Sequence, residues 1–464
     1  MLVILGFSMI AAFMYLIMTK RVTPVVALII VPTIFGMFAG AGLGLSDMIM
    51  EAVLKLAPIA ALLFFAITFF GIMIDVGLFD PLIRLILRFV KNDPMRLVVG
   101  TALLTSVVSL DGDGSTTFII VTSALLPLYH RLKMSPAILT AVAATSNGVL
   151  NTVPWGGSTS RASAALGVSP IDIFVPMIPA IAVSLLSVIV MAYFLGRSER
   201  KRLGMLVLES DKIMAAEQVG AGASTGKRRA SGPSDDSDYE GSDFAELPID
   251  STDHLHRPKA RPNLVWVNLA LTLAAMAMLV LDLIEPPVAL MIATAIALIV
   301  NFPRVSEQSD QIKAHASSVV SVVALVFASS VLTGVLSGTG MVEAMAQWLV
   351  SIIPDAFGPH LAVVCGVLSL PLTFFMSNDA FFFGVLPVLN ETASHYGITA
   401  EEMARAAVVG QPLHTSSPLI AATLLLVGLA KVELGDHQKK AAWRACVAGL
   451  VMLAVGIATA AIPG

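Results

Sequence analysis

Four short polar stretches interrupt an otherwise apolar sequence, and they hold most of the residue types able to do chemistry. The first, Ser109-Leu-Asp111-Gly-Asp113-Gly-Ser115-Thr116-Thr117, sets two acids one glycine apart. The second runs Ser146-Asn147-Gly-Val-Leu-Asn151-Thr152-Val-Pro154-Trp-Gly156-Gly157-Ser158-Thr159-Ser160-Arg161. The third is Ser377-Asn378-Asp379, and the fourth is Gln411-Pro412-Leu-His414-Thr415-Ser416-Ser417-Pro418. Hydroxyl and amide groups in these stretches suit the oxygens of a carboxylate or phosphate. Asp111, Asp113 and Asp379 suit a cation, a coupling proton, or the capping of helix ends. Turn chemistry accounts for Gly112 and Gly114 but does not require both acids. Oxygen-only ligands of this kind favour a hard divalent ion or Na⁺ over zinc or copper.

The elements that must position these residues are membrane helices. Of the 464 residues, 56% are hydrophobic and 13% are charged, against about 25% charged in an ordinary soluble domain. The mean hydropathy is +0.86. Apolar runs of about 20 residues, enough to cross a bilayer, recur along most of the chain. The run Leu2–Met18 lacks a basic leader and a small-residue cleavage site, so it reads as a retained helix. Cys365 and Cys446 both fall in apolar runs and read as small buried residues, not as a disulfide or zinc framework. No basic face persists outside the short loops, which argues against nucleic-acid binding.

A polar interruption at membrane depth is tolerated only where it lines a cavity or is buried in protein. Interruptions at corresponding positions of two halves are the signature of a transporter site. A half-helix that restarts there aims unpaired N–H groups and a positive dipole end at the cavity, which suits an anion. Ser115, Thr116, Ser158, Thr159, Ser377 and Ser417 are natural N-cap residues at the restarts, and Pro418 suits a first helical position. Arg161, one turn into its restarted helix, is the one intramembrane arginine on this map. A charge at that depth costs roughly 2.5–3.5 kcal/mol or more, so it serves either as an anion contact or as a structural partner of Asp111 or Asp113. His414 is a proton carrier or a hydrogen-bonding spacer. Trp155 reads as packing, and Asp75 as an interfacial acid of little functional weight.

The halves echo one another. Pro24-Val-Val-Ala-Leu-Ile-Ile is matched by Pro287-Val-Ala-Leu-Met-Ile. Gly71-Ile-Met-Ile-Asp-Val-Gly77 is matched by Gly334-Val-Leu-Ser-Gly-Thr-Gly340, each followed by an amphipathic stretch, Asp80–Val90 and Glu343–Ile353. The expected first half spans 1–204, with helices near 2–18, 23–44 and 56–76, an interfacial helix, a re-entrant hairpin at about 96–128, an interrupted helix at about 136–167 and a helix near 172–195. A flexible cytoplasmic linker is expected over 205–262, where Gly, Ser, Asp and Glu replace apolar periodicity. The second half, 263–464, repeats the plan with a hairpin at about 358–389 and an interrupted helix at about 403–430. With Lys20 and Arg21 cytoplasmic, all of the 28 basic residues except Lys55, Arg161 and Arg405 fall on that side. An odd number of crossings per half then inverts the second against the first. The expected fold is an all-α polytopic membrane protein of two inverted-topology repeats.

Several of these words resemble the citrate–divalent metal complex:proton symporter (CitMHS) family of the ion transporter superfamily. They are Ile17-Met-Thr-Lys-Arg21, Gly71-Ile-Met-Ile-Asp-Val-Gly-Leu-Phe-Asp-Pro81, Leu110-Asp-Gly-Asp-Gly114, Asn151-Thr-Val-Pro-Trp-Gly-Gly157, Arg161-Ala-Ser-Ala-Ala-Leu-Gly167 and Glu199-Arg-Lys-Arg-Leu-Gly204. The resemblance implies uptake of citrate complexed with a divalent metal of the Mg²⁺ or Ca²⁺ class, driven by protons. The metal travels with the substrate, and none is held permanently. It also implies a scaffold domain, often dimeric, and a transport domain that moves as an elevator in the cell inner (cytoplasmic) membrane. On this reading Asp111, Asp113 and Asp379 handle metal or proton. Ser115, Thr116, Asn147, Asn151, Gly156, Gly157, Ser158, Thr159, Arg161, Ser377, Asn378, His414, Thr415, Ser416 and Ser417 form the substrate site. The alternative is a proton- or sodium-coupled carrier of another di- or tricarboxylate or of an oxyanion. An intramembrane enzyme is disfavoured: Asp111 and Asp113 share one tip, and Ser416 with His414 lacks an orienting third group.

Overall fold

The computed structural model describes residues 1–19, 21–90, 93–112, 114–220, 259–281, 283–353 and 357–464, and at 18, 87, 111, 204–220 and 280 it describes the backbone alone. Every regular element among the described residues is helical. The first half runs α1 (Leu2–Met18), α2 (Pro24–Phe38), α3 (Leu45–Asp75) and α4 (Asp80–Val90). A hairpin of α5 (Pro94–Val108) and α6 (Gly114–Arg131) follows, then the interrupted pair α7 (Pro136–Leu150) and α8 (Gly157–Leu166), and then α9 (Pro170–Gly220).

The second half repeats this order. It has α10 (Val265–Val280), α11 (Pro286–Asn301), a short α12 (Val305–Ala314), α13 (Ala316–Gly338) and α14 (Met341–Ile352). Its hairpin is α15 (Leu361–Phe375) and α16 (Leu386–Ser394), joined through a widened π-helical stretch, Ala380–Val385. Pro387 supplies the reason for that widening, since it lacks an N–H and crowds the carbonyl four residues before it. The interrupted helix comprises α17 (Ala400–Ala407), α18 (Gln411–His414) and α19 (Ala421–Leu429), and α20 (Leu434–Ala458) ends the chain. The glycine pairs seen in sequence occupy equivalent corners: Gly77 (φ +81°) and Gly340 (φ +71°) both turn left-handed between a long helix and an amphipathic one.

Two boundaries differ from expectation. α2 ends at Phe38, because Gly40 and Gly42 take positive φ, and α3 begins at Leu45 instead of near 56. The charged residues Asp47, Glu51 and Lys55 look like a loop, yet Asp47 lies in the first turn and all three continue one helix. α9 likewise runs past Gly204 to Gly220, through residues such as Leu, Met, Ala and Glu that favour helix. Residues 221–258 of the expected linker lie outside the described residues.

The packing separates into distinct cores. α1–α3 and α10–α13 build most of one, in which Phe13, Leu28, Leu63 and Phe69 meet Leu290, Ala293 and Val335, and Trp155, Ala164 and Phe383 reach into it from the first break, α8 and hairpin two. α3 packs against α11 and α13, and α13 packs reciprocally against α2 and α3. Asn268 and Asn301 exchange amide hydrogen bonds of 2.9 and 2.8 Å between α10 and α11. The hairpins and interrupted helices form the other cores with α4, α9 and α20. Ile30, Ile34 and Met37 of α2 and Ile292, Ile296 and Ile299 of α11 face outward, as a lipid-exposed surface requires.

Candidate functional site

The two interrupted helices cross where α7 ends and α18 begins. Every residue from Ala137 to Leu150 is buried, and Gly148 sets the closeness of the crossing. A Cβ there would stand 2.6 Å from Pro412 Cα and 2.9 Å from the Gln411 carbonyl oxygen. Thr415 Oγ1 donates across the crossing to the Ala144 carbonyl at 2.9 Å.

Beside this crossing lies a cross-half network of amides and charges. Gln411 Nε2 donates to Asn378 Oδ1 at 3.1 Å, and Asn378 Nδ2 returns a bond to Gln411 Oε1 at 3.2 Å. Asn151 Nδ2 donates to the same Gln411 oxygen at 3.4 Å, and Asn151 Oδ1 accepts from the Gly157 N–H at 3.0 Å. Arg161 Nε donates to Asp379 Oδ1 at 2.6 Å, while Nη1 donates to the Gly157 carbonyl at 2.7 Å. The pair is mostly enclosed, with 26% of the Arg161 side chain and 14% of the Asp379 side chain exposed. Among the described residues, the acid that partners Arg161 is thus that of the other half, 218 residues away in sequence.

Hairpin one docks on the first break through Trp155. Its Nε1 donates to the Leu110 carbonyl at 2.8 Å, and its ring stacks on Phe70 at 3.8 Å. Gly112 turns left-handed (φ +80°) directly against Trp155, so this glycine meets both a conformational and a steric requirement. Asn147 Nδ2 donates to Ser109 Oγ at 3.0 Å, fastening the tip to α7. Asp111 closes a single 3₁₀ turn, Ser109–Asp111. The Asp111 side chain and all of Asp113 lie outside the described residues.

The hydroxyls divide into frame and cavity. Ser158 Oγ donates to the Asn151 carbonyl at 2.8 Å, and Thr159 Oγ1 to that of Thr152 at 2.9 Å. Ser417 Oγ donates to the Phe374 carbonyl at 2.7 Å, and His414 Nδ1 donates to that of Thr373 at 2.6 Å. These groups satisfy the carbonyls that the breaks leave without helical partners. Ser416 is buried. Ser377 Oγ accepts from the Ala380 N–H at 3.2 Å and caps the returning limb, as its type predicts. The other expected caps shift. Ser115 and Thr116 sit inside the first turn of α6, Gly156 takes the N-cap position before Ser158 and Thr159, and α19 starts at Ala421 behind an Ile420 cap. Pro418 is therefore in the turn before the helix, where Ser417 Oγ accepts from the Leu419 N–H.

A cavity of about 510 Å³ opens between hairpin one, the first break and the long helices. Gly112, Thr116, Trp155 and Gly157 line one wall, and Gly71, Asp75, His315, Ser317, Ser318 and Ser321 line the other. Asp75, read from sequence as interfacial, is thus part of the cavity wall. Gln411, His315 and the serines of α13 were not singled out in sequence. Gln411 was open to detection, since it heads the fourth polar stretch. His315 precedes a plain apolar helix and carries no local signal.

The profile of the citrate transporter family (CitMHS) matches residues 13–410. A Bacillus subtilis (strain 168) protein named citrate transporter is 48% identical over 439 residues, covering 95% of this chain and 94% of that protein. A second, named Mg(2+)/citrate complex secondary transporter, is 44% identical over 463 residues and covers 100% and 99%. Among solved structures, Neisseria gonorrhoeae MtrF superposes with a TM-score of 0.54 at 13% identity, over 89% of this chain and 84% of that one.

Proposed function

This chain belongs to the citrate transporter family (CitMHS), and on that premise we propose that it imports citrate as a complex with a divalent metal ion, coupled to proton symport. It is a secondary transporter in a multi-pass membrane fold, not an enzyme. The observation that carries the substrate reading is the Arg161–Asp379 pair beside the crossing of the two broken helices. A site that joins a guanidinium, carboxylates and neutral amides suits a ligand that itself carries both signs. Citrate wrapped around Mg²⁺ or a Ca²⁺-class ion presents free carboxylate oxygens to Arg161 and the amides, and a partly coordinated metal to carboxylates such as those of the LDGDG tip. The 44%-identical relative, named for a Mg²⁺/citrate complex, supports the same class of cargo.

The grouping of α1–α3 and α10–α13 into one core, met by the hairpins and broken helices through Trp155, Ala164 and Phe383, supports an elevator motion along that contact. In it the second group slides past the first, and a homodimer holds the frame still in the bilayer. Basic loops on the side of Arg84, Arg88, Lys439 and Lys440 orient the chain in the cytoplasmic membrane with the 221–258 segment inside. The cavity lined by Asp75 and Thr116 then faces the cytoplasm. Uptake into proteoliposomes tests the reading. Citrate should accumulate only with a divalent ion present and faster with an inward proton gradient. Uptake that proceeds equally well under EDTA would overturn the metal-complex claim.

A further inference from the structure

The wall of the cavity opposite hairpin one carries a carboxylate–imidazole pair that the substrate site does not use. Asp75 Oδ2, at the end of α3, lies 3.2 Å from Nε2 of His315, the residue before α13. Gln311 of α12 donates its amide N–H to the same Asp75 oxygen, and Lys259 Nζ donates to Gln311 Oε1 at 2.7 Å. Four residues from three separate parts of the chain thus form one line. The fold leaves space for the ring: Gly71 sits one turn before Asp75, where a Cβ would stand 2.5 Å from His315 Nδ1. Both side chains stay partly open to water, 31% for Asp75 and 19% for His315. Both also line the cavity that Gly112, Thr116 and Gly157 face from the other side.

We propose that the Asp75–His315 pair is the proton station of the transport cycle, held on the static frame and facing the cargo cavity. The proposal rests on the proton-coupled reading above. A proton carried across by a carboxylate of the cargo or of the moving domain is taken up by the neutral His315 imidazole as the loaded cavity opens toward the cytoplasm, giving an imidazolium against the Asp75 carboxylate. On release one proton leaves for water, and the neutral imidazole keeps its Nε2–H on Asp75. An anionic complex in the cavity favours the imidazolium by Coulomb attraction. When the anion leaves for the cytoplasm that attraction is lost, and the proton follows. By reciprocity, protonation raises the affinity for the anion by the same factor. Among the described residues, the other charges that bear on the pair are few. Lys259 lies behind Gln311, and the Lys313–Asp310 pair sits on α12. Across the cavity, Arg161 is bonded to the Gly157 carbonyl, and Asp111 and Asp113 are the sequence neighbours of Gly112.

The test compares wild type with His315→Gln and Asp75→Asn in proteoliposomes, using citrate with Mg²⁺. Uptake driven by a pH gradient and gradient-free citrate exchange are both measured at several values across about pH 5–8. The ratio of driven uptake to exchange should fall by about 5- to 150-fold, the usual span of a coupling free energy. The pH profile of uptake should flatten in both variants, which must elute as monodisperse protein in detergent. A retained wild-type pH profile would overturn the assignment, as would equal loss of uptake and exchange, which marks a structural role. A wild type indifferent to the gradient would instead overturn the proton-coupled reading itself.

Discussion

Removing one charge of the Arg161–Asp379 pair separates a structural tie from a substrate contact. A fully buried pair broken on one side costs about 3–5 kcal/mol, and an exposed pair contributes about 0–1 kcal/mol. This pair lies nearer the buried limit, at 2.6 Å with 26% and 14% of its side chains exposed. Discounted for that residual screening, Arg161→Gln or Asp379→Asn alone should cost about 2–3 kcal/mol. Replacing both charges leaves no orphaned ion, so the double variant should recover most of this, with a coupling energy of similar size. Transport should behave differently. If Arg161 also holds a carboxylate of the cargo, the double variant folds well yet stays impaired, with citrate affinity down by roughly 30- to 150-fold at about 1.4 kcal/mol per factor of ten. Melting in detergent and citrate affinity, measured on the same four proteins, give both cycles. Recovery of affinity along with stability would refute the anion-contact role and reduce the pair to a tie between the halves.

Three further outcomes follow from packing. Gly148→Ala places a Cβ against Pro412 Cα and the Gln411 carbonyl. Backbone cannot yield there, so a loss of about 1–3 kcal/mol and a fall in uptake are expected, and wild-type melting and transport would contradict the crossing geometry. Gln411→Leu strips Asn378 of both its amide bonds and should cost about 1–3 kcal/mol, visible as a lower melting temperature and slower uptake. Asn268→Ala orphans the Asn301 carboxamide oxygen in the α10–α11 core. It should lower melting by a similar free energy while leaving the metal dependence of citrate uptake as in wild type.

Much of this fold is legible in the sequence because a membrane amplifies the signal. Polar, Gly- and Pro-rich words such as Leu110–Gly114 and Asn151–Gly157 are conspicuous within apolar runs, and the helices do stop there. The repeated glycine pair is legible for the same reason, since Gly77 and Gly340 both mark left-handed corners. Residue type alone does not show where a side chain points. Ser158, Thr159 and Ser417 suggest ligand contacts by type, but each donates to a carbonyl left open by its own break or its neighbour's, and Thr415 donates across the crossing to the Ala144 carbonyl. Long-range pairing is equally hidden: the link of Arg161 to Asp379 and that of Asp75 to His315 depend on how the halves pack.

The central claim is that citrate and metal cross the membrane as one complex. Proteoliposomes loaded with a Mg²⁺-sensitive dye and supplied with labelled citrate report both fluxes at once. Metal and citrate should enter in parallel, and each flux should stop when the other component is withheld. Citrate entry without a matching metal signal would contradict it.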